Sequence, residues 1–291
     1  MAENPLSLAE KTFILHGVDS DFRTDGRRQH EYRSFEIETS IMPQTNGSSR
    51  LRIGNTDVLV GIKLEVDTPF PDSPNTGKLE FFVDCSAVAT PEFEGKGGED
   101  LATEIANTLS RSYQSSSTID LKILSILPHK KCWKMYVDVL ILQCGGNLVD
   151  AIGVAVKAAL YSTEIPKVTA ATLDGGEADI QVSDDPFDCI KLNVNNYPLL
   201  VTMCKIGDNC IVDPTAEEEA CSSCNIILSV TPKGRITSIV KTGHGSLQSS
   251  TMLKNLDIGT RVAKNLNEAL MEALNKEESL GTKRQIAGFL R

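Results

Sequence analysis

The chain has 291 residues and a mass of 31.6 kDa, with 41% hydrophobic and 23% charged residues. That balance excludes disorder over most of the length and suits two cores of ordinary size better than one large one. A net charge of −10, from 29 basic and 39 acidic residues, argues against an isolated non-specific nucleic-acid binder, which needs Lys and Arg to neutralise phosphates, though not against a subunit lining part of a shared channel.

From the N-terminus, Met1 to Lys11 carries Glu3 and Glu10 and no apolar run of signal-peptide length. No later segment approaches a membrane span, so an intracellular protein is expected. Tyr32 to Ile41 alternates, Asn46-Gly47-Ser48 turns, Ser49 to Ile53 is a short strand, Gly54-Asn55-Thr56 turns again, and Asp57 to Val66 is a longer β-rich run. Together they predict an antiparallel meander. After the proline-rich loop Pro69 to Pro74, Lys78 to Cys85 reads as a strand. Glu99 and Asp100 open a helix with Leu101, Ile105 and Leu109 on one stripe and Arg111 near its end. Strands over Lys122 to Leu127 and Lys134 to Gln143 follow, then a glycine turn and a helix over Ala151 to Leu160. Sheet on one side and helices on the other predict an α+β layer pair.

Ser162 to Asp188 reads as a connector with Asp174-Gly175-Gly176-Glu177 as its polar centre. The second half repeats the grammar of the first: strands over Cys189 to Val194, Leu199 to Ile206 and Cys210 to Val212, with a Gly207-Asp208-Asn209 turn. Pro214 begins a helix whose first turns hold Glu217 to Glu219. Strands Asn225 to Val230 and Arg235 to Lys241 lead to a long helix with Met252, Leu256, Val262, Leu266, Leu270 and Leu274 on its buried face and Gly259 as a tolerated weak point. The tail ends in Lys283, Arg284 and Arg291. The division expected is an N-terminal segment 1–30, a first domain 31–165, a connector 166–188, a second domain 189–275 and a tail 276–291, with an internal duplication behind the two halves.

Leu148 is the most informative single residue. A turn of Cys144-Gly145-Gly146-Asn147 feeding a helix aims backbone N–H groups at an anion. Yet no Arg, Lys or His falls between Met135 and Val156, and the first helical turn holds Asp150. A tight turn with Asn147 and Asp150 capping the helix is the expectation, with anion binding through backbone N–H alone as the alternative.

Several short motifs then carry a resemblance. Arg23-Thr24-Asp25-Gly26-Arg27, Tyr32-Arg33, Asn46-Gly47-Ser48-Ser49 and Ile53-Gly54-Asn55-Thr56-Asp57-Val58-Leu59 resemble, in order and spacing, the N-terminal signature of the RNase PH family. Phe82-Val83-Asp84-Cys85-Ser86, Pro91-Glu92-Phe93-Glu94-Gly95 and Glu104-Ile105-Ala106-Asn107 look like its branch of non-catalytic ring subunits of the RNA exosome core. The likeness runs from about Leu8 to Arg291. It implies two tandem α+β domains of the RNase PH type, similar to domain 2 of ribosomal protein S5, in a six-membered ring of RNase PH-like subunits. It also implies cap subunits with S1 or KH domains and RNA threaded through the pore to associated hydrolytic ribonucleases. The role implied is processing and turnover of ribosomal and messenger RNA in nucleus, nucleolus and cytoplasm, with no cofactor or metal of its own.

Active relatives are phosphorolytic and need a cationic phosphate cradle with acidic residues placed for metal or proton transfer. Where they carry the phosphate-binding Arg this chain has Leu148, within Gly146-Asn147-Leu148-Val149, and where they carry two acids it has Ser223 and Asn225. Leucine cannot supply the charge-assisted contact, so a chain without catalytic activity is expected. A phosphate-dependent 3′ to 5′ exoribonuclease is the alternative, as is a composite site in which this chain lends RNA-binding residues to a catalytic neighbour. In archaeal relatives of this type, basic residues in the matching loop and helix reach RNA, which singles out Lys96 and Arg111; solvated helix ends are the plainer reading.

Other signals have structural readings. The spacing Cys221 to Cys224 is half of a zinc site or a redox pair, but all eight cysteines, Cys85, Cys132, Cys144, Cys189, Cys204, Cys210, Cys221 and Cys224, suit reduced and largely buried thiols. His129, Lys130 and Lys131 suit a solvated hairpin tip, with an RNA or neighbour contact as the alternative. Arg23, Asp25 and Arg27 suit an ion-paired loop fixing the first strand or a subunit contact.

Overall fold

The computed structural model describes residues 6–114, 118–172, 178–183, 185 and 188–281. The chain opens with a helix, α1 (Leu8–Asp19), which the strand-and-helix reading did not anticipate. Its start is nonetheless written in the sequence: the Ser7 side chain accepts from the Glu10 backbone N–H while the Glu10 carboxylate accepts from the Ser7 N–H, a reciprocal cap. What hides the helix is a weak apolar stripe, since only Ile14 and Val18 are buried and Leu8 and Phe13 face outward.

The first sheet comprises β1 (Phe35–Thr39), β2 (Gly47–Ile53), β3 (Thr56–Asp67) and β4 (Lys78–Asp84), then, after α2 (Lys96–Tyr113), β5 (Ser125–Leu127) and β6 (Lys131–Gln143). β1, β2 and β3 pair antiparallel as a meander, which is the pattern expected from their alternation. β6 lies antiparallel to β3, and β4 is parallel to β6 through the α2 crossover. α2 begins at Lys96, one turn before the expected Glu99, and buries Ile105, Leu109 and Tyr113.

α3 (Leu148–Tyr161) lies against β2 and β3 on one side and the second sheet on the other. Every residue from Asp150 to Leu160 is buried, which explains a run apolar nearly all round rather than on one stripe. The segment expected to be a plain connector carries strands instead. β7 (Glu164–Pro166) pairs with β10 (Cys189–Lys191), and between them β8 (Val168–Thr172) and β9 (Ala178–Val182) form an antiparallel hairpin. Short strands of polar and small residues give little periodic signal, which is why they read as loop. Asp174-Gly175-Gly176-Glu177 lie outside the described residues, as do Glu3, Lys283, Arg284 and Arg291.

The second sheet has β12 (Asn209–Val212), β11 (Leu199–Ile206), β13 (Cys224–Val230) and β14 (Ile236–Thr242) in that spatial order, all antiparallel, with α4 (Ala216–Ala220) between β12 and β13. The two sheets therefore share layers with helices but differ in strand order and direction. β11 is buried on both faces: Val201 and Met203 join a cluster with Val262 and Ala263, while Cys204 and Ile206 pack beneath Ile14 and Val18 of α1. The last helix, α5 (Ser249–Leu280), runs past the expected end near Leu274. Gly259 is no weak point, because a Cβ there would stand 2.4 Å from Leu228 Cδ1; the missing side chain lets α5 close onto β13. Among the described residues no helix is long and apolar enough to cross a membrane.

Candidate functional site

The turn between β6 and α3 sits where the two halves meet, and Thr56 of β3 holds it. The Thr56 Oγ1 hydroxyl donates to the Gly146 carbonyl at 2.7 Å and accepts from the Gly145 N–H at 3.2 Å. Gly146 has φ +95°, and a Cβ there would lie 2.4 Å from Ala216 N and 2.6 Å from the Thr215 carbonyl carbon. Glycine is needed twice over, for the backbone angle and for the close approach of α4.

Asn147 follows in the left-handed region at φ 55°. The expected cap does not form: neither Asn147 nor Asp150 satisfies the free N–H groups of α3 with its side chain. The Asn147 amide instead donates to Asp150 at 3.0 Å and to Asp213 at 2.7 Å. Asp150 is turned inward and accepts from Tyr32 Oη at 2.5 Å, from the Thr202 N–H at 2.9 Å and from Thr202 Oγ1 at 2.7 Å. Both side chains are drawn from the helix end by partners more than fifty residues away. The anion at the turn comes from the second half: the Asn147 backbone N–H donates to Glu219 Oε1 at 2.9 Å.

Leu148 points into the main core and is 9% exposed. The nearest guanidinium, Arg33, donates to the Gly145 and Gly146 carbonyls at 3.2 Å each and clasps Asp213 through Nε at 2.9 Å and Nη2 at 2.8 Å. Burial pushes the Asp213 carboxyl up, but the hydrogen bonds and charge of Arg33 outweigh it and hold the group below the usual carboxylate range. Asp150 and Glu219 go the other way. Burial pushes Asp150 up to about 6 against its four hydrogen bonds, and pushes Glu219 up to about 7 against the Asn147 N–H and Arg33.

The N-terminal loop joins the same network. Arg23 is buried, pairs with Glu218 and donates to the carbonyls of Val212 at 3.0 Å and Asp213 at 2.8 Å. Arg27 bridges Asp25 at 2.6 Å and Asp213 at 3.0 Å. The ion-paired reading of Arg23, Asp25 and Arg27 is therefore right in kind, but the object fixed is the second half of the chain rather than the first strand.

Ser223 and Asn225 lie close by. Thr202 of β11 touches Asp150, and Cys204, two residues along the same face, pairs with Asn225 of β13. That is about 7 Å along the strand. Asn225 accepts from the Ser222 hydroxyl at 3.1 Å, and Ser223, exposed, donates to the Lys205 carbonyl. Ser223 and Asn225 thus lie on the side of the second sheet that Asp150 touches through β11, and neither side chain is ionisable.

Lys96 and Arg111 are not brought together. Both are exposed, but they mark opposite ends of α2, about 22 Å apart along its axis, with Glu99, Asp100 and Glu104 exposed between them. His129, with φ 64°, Lys130 and Lys131 form the exposed tip between β5 and β6. Cys221 is half-buried and Cys224 buried, both free, and among the described residues no group of three or more His, Cys, Asp or Glu could hold a metal ion.

Sequence reasoning missed Asp213, Glu218 and Glu219 as a connected set because an acidic helix start already has a local explanation. The signal available was Thr215-x-x-Glu218: a reciprocal cap satisfies the start of α4 with Glu218, which leaves Glu219 to be explained by something else.

Comparison with known proteins agrees with this architecture. The family model for the 3′ exoribonuclease family, domain 1, matches residues 31–166, and that for domain 2 matches residues 196–262. An exosome complex component Rrp42 of Sulfurisphaera tokodaii is 35% identical over 94% of this chain and 96% of that protein. A Dictyostelium discoideum protein provisionally named exosome complex exonuclease RRP42 is 32% identical over 93% and 99%. Among solved structures, a chain of the Archaeoglobus fulgidus exosome with RNA bound to the active site superposes with a TM-score of 0.78 at 28% identity, covering 90% of this chain and 97% of that one.

Proposed function

Because the chain belongs to the RNase PH family of 3′ exoribonucleases, we propose that it is a structural and RNA-guiding subunit of the RNA exosome core ring that performs no phosphorolysis itself. One observation carries the second half of that reading. Leu148, where the family resemblance leads one to expect a phosphate-binding arginine, is packed into the core, and the N–H beside it is already bonded to Glu219. Phosphorolysis needs a phosphate held against the RNA backbone with charge to stabilise the transition state, and here the Arg33 guanidinium bonded to the turn is clasped to Asp213 while the Asn147 N–H is bonded to Glu219.

The work is then done through interfaces. Opposite edges of the subunit contact two different RNase PH-like neighbours, so heterologous packing closes a six-membered ring. S1 or KH cap subunits sit above it, and RNA passes through the pore toward associated hydrolytic ribonucleases, in nucleus and nucleolus and also in cytoplasm. Supporting this are relatives named as exosome components over nearly the whole length and structural neighbours taken from exosome cores.

The test is direct. Purified chain incubated with RNA and phosphate is expected to release no nucleoside diphosphate, and Leu148→Arg alone is expected to release none either, since Ser223 and Asn225 supply no acid. Diphosphate release from either protein would refute the reading.

A further inference from the structure

We propose that Glu219 is a built-in ligand: an oxygen of its carboxyl group takes, at the Asn147 N–H that follows the Gly145-Gly146 turn, the place that a free oxyanion would take. This deepens the non-catalytic reading and rests on it for the identity of the site.

Three observations support it. The first is the bond itself, Asn147 N–H to Glu219 Oε1 at 2.9 Å, which ties the start of α3 to a carboxylate from the other half of the chain. Such a carboxylate at a helix start satisfies an orphan donor and the helix dipole together. The second is that Glu219 is spare where it originates. The start of α4 is capped by Thr215 and Glu218, and Glu217 is exposed. The third is that α4 is held at the turn: Arg23 pairs with Glu218, and Gly146 lets Thr215 and Ala216 approach where a Cβ would not fit.

The charges around the group complete the argument. Arg33, just before β1, faces it but already spends its guanidinium on Asp213 and on the turn's carbonyls. Asp150 from α3 and Asp213 before α4 lie near enough to raise its pKa. A phosphate arriving here would meet carboxylates rather than an unspent cation, so an arginine at position 148 would find its anion in Glu219.

The experiment uses the full chain and inorganic phosphate, with binding followed by calorimetry and phosphorus NMR. Leu148→Arg alone should bind phosphate no better than the unaltered protein, whereas Leu148→Arg with Glu219→Ala should bind it about tenfold tighter or more. Equal phosphate affinity in the single and double variants would overturn the proposal. A measurement that needs no cavity-forming variant stands beside it: the Asn147 amide resonance of the unaltered chain should move with pH as Glu219 titrates. That movement should vanish in Glu219→Gln, which keeps an acceptor oxygen in place. An Asn147 amide that titrates identically in both would also overturn it. Neither readout involves RNA cleavage, so a failure here is distinct from diphosphate release.

Discussion

Arg23 is 1% exposed and its partner Glu218 is 1% exposed. Nε donates to Glu218 Oε1 at 2.8 Å, and the other guanidinium donors reach the carbonyls before α4. Arg23→Leu would leave the buried Glu218 carboxylate without its counter-ion and take one donor from each of the Val212 and Asp213 carbonyls, and the loss of stability expected is about 3–5 kcal/mol. Urea denaturation of the two proteins measures it, and a difference below about 1 kcal/mol would show that the pair is not a fastener. At this scale the apolar character of the stretch around Leu148 was legible, because the absence of a cation between Met135 and Val156 needs no coordinates. The fates of Asn147, Asp150 and Glu219 were not, since local capping rules rank partners within a turn while the partners that won lie on β11 and α4.

Among the elements, α3 is the one whose environment most constrains its chemistry. Lys157 is fully buried between the sheets and donates to the Tyr197 carbonyl at 2.8 Å and to the Asn267 side chain. Burial pulls its ammonium down from 10.5 to about 7. The unfolded chain therefore binds the proton more tightly than the folded one between those values, and stability rises as pH rises from about 7 toward 10.5. Lys157→Met removes this dependence. Denaturant midpoints of the two proteins should diverge over that range, by at most about 5 kcal/mol in favour of the unaltered chain at the alkaline end relative to the neutral one; parallel profiles would contradict the account. Apolar stripes made α2 and α5 legible and an unbroken apolar run made α3 so, whereas α1 lacked a clear stripe and β7 to β9 lacked length.

For the whole molecule, the balance of −10 means that RNA contact depends on where exposed cations stand relative to the more numerous acids. Lys96 and Arg111 sit too far apart on α2 to grip one phosphate and are interrupted by acids, so guidance along a path is the role their placement allows. Changing both to Glu in the reconstituted ring should reduce RNA protection and flatten its salt dependence while leaving assembly intact. Unchanged protection and an unchanged salt slope would remove these residues from the RNA path.

By itself the sequence determined the two-part α+β division, the meander, the glycine turn and the lack of a cation around it, all of which follow from local spacing, composition and motif order. Tertiary structure alone decided what bonds the N–H that follows the turn. Glu219 stands 72 residues beyond Asn147, and only the packing of α4 onto the Gly146 turn brings them within hydrogen-bonding distance. A buried N–H must find an acceptor, and which acceptor it finds is settled by the fold rather than by its neighbours in the chain.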